Sequence, residues 1–175
     1  VTESLEVLAG GGPSDLIELV IALANEMLDI AGIDADPREA ITSGRAMDHW
    51  RRMVSAQGGD PDAPLPVARH QHVITAPVAG PLSTLEAYGV GVAAWRLGAG
   101  RAHKEDEIIH GAGVQLHAKP GDMLSEGQPI MTLLADDEAR LPAAIAELEG
   151  SWEIGGEPMD RHPLVITRFD ENTRG

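Results

Sequence analysis

The sequence predicts an α+β protein in which helices come first and a sheet region follows. Three observations predict this class. Before residue 60, apolar residues recur at spacings of three and four, as on the buried face of a helix. Beyond a proline-rich segment, short apolar runs are separated by glycine and proline, which is typical of strands joined by turns. Hydrophobic residues make up 43% of the chain, enough for a packed core, although only 3% are aromatic.

The first segment, TESLEVLAGGG, reads as the last turns of a helix. Leu5 and Leu8 are three residues apart, and the glycines from Gly10 to Gly12 stop the helix. A natural protein rarely opens within a helix without an initiator Met. We therefore expect that further residues precede Val1.

The next helix, predicted over residues 13–32, has the clearest pattern. Ser14 is the expected N-cap, acidic residues in the first turn suit the positive end of the helix dipole, and Gly32 ends the helix. One broad face is apolar. That face consists of Leu16, Leu19, Val20, Leu23, Met27 and Ile30.

A second helical region follows and ends at Gly58. Asp36 is the expected N-cap, Pro37 occupies the first helical position, and Glu39 completes a capping box with Asp36. Gly44 weakens the middle of this region, because glycine is a poor helix former.

A stiff, extended connection comes next, where DPDAPLPVA places three prolines within six residues. The periodicity changes beyond it, so we place a domain boundary here. The predicted organisation is a helical segment at 1–60, a linker at 61–68 and a C-terminal domain at 69–175.

The C-terminal domain is predicted to combine short strands with two helices. Strands are expected at HVITAP, PLSTLEA, VQLHA and PIMTLLA, and a final strand at PLVITRF before a frayed tail, DENTRG. One helix is expected at YGVGVAAWRLG and another at DEARLPAAIAELEG, where Pro142 restricts the first turn.

The chain is strongly acidic, with a formal charge of −15 from 28 acidic and 13 basic residues. Such a surface repels nucleic acids and anionic membranes, so we predict neither as a partner and expect a small-molecule ligand. The absence of cysteine excludes disulfides and thiolate metal sites and fits a cytoplasmic protein. No apolar run approaches the roughly 20 residues that a transmembrane helix needs.

The stretch LGAGRAHKED, residues 97–106, raises the question of a phosphate-binding loop. Such a loop normally follows a strand and opens a helix, whereas these glycines follow an apolar helical run. We therefore interpret Gly98 and Gly100 as a helix stop. Arg96, Arg101 and Lys104 suit the negative end of the helix dipole there.

Histidines and paired acids are the remaining candidates for chemistry. His70 and His72 share one strand face, and His103, His110 and His117 are further candidate zinc ligands; a solvated strand edge is the favoured interpretation. Asp136 and Asp137 could act on a glycosidic bond only if they flanked a substrate, so helix capping is favoured for them. No Ser-His-Asp arrangement has support in the sequence.

Two segments, ITAPVAGPLSTLEA and KPGDMLSEGQPIMTLL, resemble the halves of biotinyl and lipoyl domains. This resemblance implies an α/β-hammerhead domain, similar to a barrel-sandwich hybrid. A carrier of this type needs an exposed lysine on a hairpin. Lys104 and Lys119 are the only lysines in the sequence, and neither lies in such a hairpin. The missing lysine counts against a carrier. A non-enzymatic hammerhead binding or carrier module is kept as the alternative interpretation.

A wider resemblance covers about residues 1–168. The ordered segments that carry it are ESLEVLAGGGPSDLIEL, GRAMDHWRRMVSAQGGD, APVAGPLSTLEAYGVGVAAWRLGAGRAHKEDEI, GAGVQLHAKPGD and GQPIMTLLADD. In this order they resemble the C-terminal part of the thymidine phosphorylase and pyrimidine-nucleoside phosphorylase family. The resemblance implies that the N-terminal helices come from the end of an α/β domain.

The resemblance also implies an activity, that of a pentosyltransferase: phosphate, as co-substrate, attacks the sugar of a pyrimidine nucleoside. It further implies that the full-length enzyme is a cytoplasmic homodimer. The family's phosphate-binding and pyrimidine-binding groups have no matching positions here. We therefore expect no catalytic or cofactor-binding residue in this chain, no required cofactor, and no activity of this fragment alone.

One metal ligand is implied by the resemblance. Some family members bind a monovalent cation near the phosphate loop, through backbone oxygens and one glutamate, and Glu3 matches that glutamate. A hard cation prefers oxygen ligands, so the residue type is suitable. The alternative is an exposed helical glutamate without a metal role.

Overall fold

The structure is a computed structural model that describes residues 1–101, 103–156 and 163–169. Its contacts divide the chain into two compact units. The helical unit comprises Val1–Pro64 and the described residues 163–169, and the sheet unit comprises the described residues from Leu65 to Gly156. The chain combines helices with small antiparallel sheets, which confirms the α+β prediction.

The helical unit is formed by α1 (Thr2–Leu8), α2 (Ser14–Ala31), α3 (Pro37–Thr42) and α4 (Arg45–Ala56). Gly32 ends α2 in the left-handed conformation, with φ 65°, as its position after the apolar pattern predicts. Within the described residues, only Val7 and Ile21 of this unit are buried hydrophobic side chains.

The start of α2 differs from the prediction. Ser14 is the first helical residue rather than the N-cap, and its side chain makes no capping bond. Pro13 precedes the helix in an extended conformation, with ψ 131°. Because Pro13 already supplies the non-helical residue at this boundary, Ser14 falls inside the first turn.

The predicted second helical region is two helices. Asp36 caps α3 by accepting a hydrogen bond of 2.8 Å from the backbone N–H of Arg38. The carboxylate of Glu39 lies 3.7 Å from Arg45 instead of closing a capping box. Gly44, with φ 78°, interrupts the chain between α3 and α4, because this conformation is incompatible with a continuous α-helix.

One antiparallel sheet of the sheet unit has the strand order β1-β5-β3. Its strands are β1 (His70–Thr75), β3 (Gly113–Leu116) and β5 (Pro129–Ala135), all of which lie where the sequence predicts strands. In the central strand β5, Leu133 pairs with His72 on one side and with Val114 on the other. Central β5 is almost wholly buried, as its continuous apolar run leads one to expect.

The second sheet has the order β4-β2-β6, with β2 (Gly80–Leu85) between β4 (Met123–Leu124) and β6 (Trp152–Ile154). Only β2 is predicted from the sequence. The flanking strands have two and three residues, which is too short for a period-two pattern to appear.

Two helices cover the sheets, α5 (Ala87–Ala94) and α6 (Leu141–Glu147). A Cβ atom at Gly89 of α5 would lie 2.8 Å from the Cβ atom of Ser151, so only glycine allows this approach. The core between sheets and helices is continuous and aliphatic. It consists of Ala76, Leu82, Ala93, Leu97, Ala118, Leu124, Ile130, Met131, Leu133, Ala135, Leu141, Ala144 and Leu148.

The strand predicted at residues 163–169 is not formed in this structure. Within the described residues the segment has no regular secondary structure and no strand partner. Arg168 joins it to α2 through Glu26 at 2.8 Å and Asp29 at 3.2 Å. The predicted frayed tail, residues 170–175, lies outside the described residues.

Candidate functional site

The glycine-rich turn at the end of α5 borders a cleft of about 460 Å³ in the sheet unit. Helix α5 continues into a wider turn at Trp95–Ala99, which Gly98 ends with φ 111°. The cleft combines one aromatic side chain with charges of both signs. Its lining is formed by Trp95, Arg96, Gly100, Asp106, Glu107, Ile109 and Arg140.

Gly98 has a clear structural role in this turn. A Cβ atom there would lie 2.8 Å from Cδ1 of Ile109, closer than packed atoms approach. The backbone N–H of Ile109 also donates a hydrogen bond of 2.9 Å to the Gly98 carbonyl. The prediction that the glycines end the helix is therefore confirmed, and Ile109 explains why the position needs both a positive φ and no side chain.

The arginines of the cleft hold the turn in place. Arg96 donates to Oε1 of Glu147 on α6, at 2.9 Å from Nη2 and 3.1 Å from Nε. Its guanidinium also lies 4.9 Å from the centre of the Trp95 ring, a cation–π distance. Arg140 donates to the Arg96 carbonyl at 3.3 Å. Through these contacts the two arginines connect the turn to α6 and to the residue before it. Their donors are therefore directed at partners within the protein.

The loop that follows the turn also uses its polar groups internally. Asp106 accepts a hydrogen bond of 2.9 Å from the backbone N–H of His103, and its own N–H donates to the His103 carbonyl. Arg101 donates to the Lys104 carbonyl at 3.1 Å. A phosphate cradle requires several backbone N–H groups that point at one empty position. In this loop the backbone N–H groups of His103 and Asp106 are instead directed at each other's oxygen atoms.

Three of the candidate histidines have different partners. His70 lies 4.0 Å from Glu138, His103 lies 3.5 Å from Asp106, and His117 shares a hydrogen bond of 2.7 Å with the hydroxyl of buried Thr132. Among the described residues, no three His, Asp or Glu side chains come close enough to hold a metal ion.

The paired acids have two different structural roles. Asp137 accepts a hydrogen bond of 3.0 Å from the Ala139 N–H at the start of a short 3₁₀ turn, so the capping prediction is confirmed for this residue. Asp136 instead accepts from the backbone N–H of Arg69, at 3.2 Å, and ties the entry of β1 to the end of β5. Capping is therefore wrong for Asp136, because its carboxylate accepts from the N–H of Arg69, which precedes β1, and not from a helix terminus.

Glu3 lies in the first turn of α1 with an exposed side chain. The part of the chain that the structure describes offers no cluster of acidic side chains around it. A single carboxylate does not form a cation site, since a hard cation requires several oxygen ligands. These residues alone therefore do not build the site, and the metal role of Glu3 stays a prediction.

The contact between Arg140, Arg96 and Glu147 is a feature that the sequence does not reveal. Arg96 and Glu147 are 51 positions apart and meet only because α5 and α6 pack together. The basic residue at the end of an apolar helix is a weak signal for such a contact. It suggests a favourable interaction with the helix dipole but does not identify the partner.

Comparisons with known proteins assign the chain to a family. Residues 82–155 match the family model described as the pyrimidine nucleoside phosphorylase C-terminal domain. The chain is 47% identical over 170 residues to thymidine phosphorylase of Mycobacterium tuberculosis, an alignment that covers 97% of this chain and 40% of that protein. It is 38% identical over 180 residues to pyrimidine-nucleoside phosphorylase of Bacillus subtilis, covering 94% and 41%.

A third relative agrees with these two. Pyrimidine-nucleoside phosphorylase of Staphylococcus haemolyticus is 37% identical over 164 residues, covering 87% of this chain and 38% of that protein. The chain thus spans about two-fifths of the length of the curated relatives it matches. In the part that the structure describes, we find no helix with the length and apolar character needed to cross a bilayer. The chain belongs to the thymidine phosphorylase and pyrimidine-nucleoside phosphorylase family, of which it represents the C-terminal portion.

Proposed function

We propose that the chain is the C-terminal scaffold of a thymidine phosphorylase. The full protein converts thymidine and phosphate into thymine and 2-deoxyribose 1-phosphate, and the groups that act on the substrates lie upstream of this chain. The observation that carries the proposal is the 47% identity to the Mycobacterium tuberculosis thymidine phosphorylase along almost the whole chain. Pyrimidine-nucleoside phosphorylase of Bacillus subtilis, at 38% identity, is less similar and supports the same class of reaction.

The reaction itself supports an active site elsewhere. Phosphate attacks the anomeric carbon, the bond to the base breaks, and charge develops on the sugar and on the departing base. Positioned donors and cations stabilise such charges only if they are available to the substrates. Arg96 and Arg140, the arginines of the cleft, are instead directed to Glu147 and to a backbone carbonyl. A bracing role fits this arrangement better than a catalytic one.

The helical unit supports a place within a larger domain. Its longest helix, α2, leaves most of its apolar face in solvent, and Leu23 is 51% and Ile30 88% exposed. We call this face the apolar stripe of α2; it consists of Leu16, Leu19, Val20, Leu23, Met27 and Ile30. Burial of one such side chain stabilises a fold by about 1.5–3 kcal/mol. We infer that this stripe packs against the upstream polypeptide and completes its α/β domain, so that the chain supports one side of the substrate cleft.

The sheet unit supports the finer fold proposal, an α/β-hammerhead domain. Gly121 and Gly127 have φ values of 93° and 79° in the turns around β4, where the hammerhead-like motif places glycine. Pro129 begins β5, at a position where no ladder donor is required. The alternative, a carrier module of the biotinyl or lipoyl type, is disfavoured by the family comparisons and by the absence of lysine from the predicted hairpin.

Partners and location follow from the same proposal. The full protein is a cytoplasmic homodimer that binds a pyrimidine nucleoside and phosphate, with no required cofactor and no nucleic-acid or membrane partner. The −15 formal charge of this chain supports the last two points, because anionic surfaces repel each other.

The decisive experiment compares the full-length protein with the 175-residue chain. We expect the full-length protein to release thymine from thymidine only when phosphate is present, and more slowly to release uracil from uridine. The 175-residue chain should release neither base. Turnover by the chain alone would refute the upstream active site. A biotin or lipoyl adduct in the intact mass after cellular expression would support the carrier alternative.

Glu3 enters the proposal as one ligand of a monovalent cation in the full protein. The test is the stimulation of the full-length enzyme by KCl in Glu3→Gln, with Glu6→Gln on the same helix as the matched control. We expect Glu3→Gln to lose the stimulation and Glu6→Gln to retain it. Loss confined to Glu6→Gln would show that Glu3 is the wrong glutamate.

A further inference from the structure

Residues 163–169, PLVITRF, form a segment without regular secondary structure that exposes large apolar side chains. Ile166 is 87% and Phe169 84% exposed, and Leu164 and Val165 are also accessible. We find no backbone hydrogen bond between this segment and any other residue that the structure describes. Exposed apolar side chains, together with backbone groups that have no partner among the described residues, are characteristic of a strand without its neighbour.

The composition of the segment favours a strand over a helix or a turn. Valine, isoleucine, threonine and phenylalanine are enriched in strands because their side chains pack well on a pleated surface. Pro163 stands at the first position, where a strand tolerates a residue that lacks an N–H. The segment is therefore suited to pair along one edge of a sheet.

Arg168 links the segment to a helix of the same unit. Its Nη2 atom lies 2.8 Å from Glu26 and 3.2 Å from Asp29, both on α2. A strand that runs beside an amphipathic helix is the basic layer of an α/β domain. The apolar stripe of α2 and the segment at 163–169 thus offer a helix and a candidate strand for such a layer, but not its sheet.

We propose that residues 163–169 form the edge strand of a sheet contributed by the rest of the phosphorylase polypeptide. The inference rests on the proposed function, because the accepting sheet lies upstream of this chain. The relatives are long enough to supply that sheet, since this chain spans about two-fifths of their length.

A second copy of this chain is a weaker candidate for the partner. A stable protein interface buries about 1,200 Å² of accessible surface or more, and two paired seven-residue strands bury far less than that. A sheet in the same polypeptide avoids this limit, because the covalent connection keeps the local concentration of the partner strand high. Pairing within one polypeptide is therefore the arrangement we propose.

Amide hydrogen exchange in the full-length protein tests the proposal. We expect alternate amides within 164–169 to exchange at least about tenfold more slowly than in a free peptide of the same sequence, since only every second N–H of an edge strand faces its neighbour. Exchange at the free-peptide rate throughout would overturn the proposal. Protection that disappears on dilution of the protein would also overturn it and would assign the pairing to a second copy.

Two proline variants of the full-length protein provide a matched pair, Val165→Pro and Ile166→Pro. Proline removes one backbone donor, and neighbouring residues point their N–H groups in opposite directions. We expect one of the two variants to abolish protection across 164–169 and the other to retain it. Equal effects of both variants, or no effect of either, would contradict an edge strand. Continued slow exchange in β5 shows that the sheet unit is still folded.

The outcome for the strand can be separated from the outcome for the activity. Thymidine phosphorolysis is measured on the same unmodified full-length preparation. Absence of phosphorolysis with protected amides at 164–169 would refute the proposed reaction and leave the strand in place. Phosphorolysis with unprotected amides would refute the strand alone.

Discussion

The two units of the molecule treat their apolar residues differently. The sheet unit encloses a continuous core in which Leu82, Ile130 and Leu133 are completely buried. The helical unit leaves most of the apolar stripe of α2 in solvent, and among its described residues only Val7 and Ile21 are buried hydrophobics. The sheet unit thus has its own core, whereas the exposed stripe of the helical unit is the surface that we propose to be covered by upstream polypeptide.

The largest expected effect is on the free energy of unfolding of the 175-residue chain, when one leucine from each unit is replaced by alanine. Leu133→Ala removes a side chain that is 0% exposed and leaves a cavity, so it should lower the free energy of unfolding by about 2–5 kcal/mol. Leu23→Ala removes an exposed side chain and should change stability by less than about 1 kcal/mol. Urea unfolding measures both. Equal losses would contradict the difference between the units.

The second prediction moves Leu23 into the full-length protein. Leu23→Asp places a charge on the stripe that we propose to be buried there, so it should lower stability by about 2–4 kcal/mol. Asn25→Asp introduces the same side chain on the opposite side of α2 and serves as the control. Thermal unfolding of the full-length protein measures both variants. A neutral Leu23→Asp would show that the stripe remains in solvent.

A smaller effect tests the close contact within the sheet unit. Gly89→Ala forces a methyl group toward Ser151 and should destabilise the unit by about 1–3 kcal/mol. Gly91→Ala lies on the same helix with no atom within 4 Å of the added group. It should therefore stabilise by up to about 1 kcal/mol, since alanine favours helix. Denaturant unfolding measures the stability of both variants. If Gly89→Ala left the stability unchanged, Ser151 would have to move easily out of the way.

The smallest effect concerns the ion pair that braces the glycine-rich turn. Both partners are partly exposed, at 45% for Arg96 and 34% for Glu147, so solvent screens their attraction. A double-mutant cycle with Arg96→Met and Glu147→Gln should give a coupling of about 0.5–1 kcal/mol. Coupling indistinguishable from zero would mean that packing alone holds the turn.

The elements that the sequence predicts well are those encoded by local patterns. The period of α2, its stop at Gly32, the cap at Asp36 and the buried run of β5 all depend on neighbouring residues. The start of α2 differs by one position, because Pro13 replaces Ser14 as the boundary residue.

The features that the sequence does not predict depend on distant contacts. Strands β4 and β6 are too short to show a period and exist because β2 offers both edges. The link from Arg140 to Arg96 joins residues 44 positions apart, and nothing local identifies it. The segment at 163–169 has a strand-like composition, but a strand forms only where a neighbouring backbone is available.

The bond between the Gly98 carbonyl and the Ile109 amide has a practical consequence. It closes the intervening loop at its base, at a distance of 2.9 Å. When both ends of a loop are pinned, doubling its length costs only about 0.6 kcal/mol of chain entropy. A short epitope or a fluorophore-bearing peptide inserted midway along this loop would therefore tag the protein while the sheets beneath keep their fold.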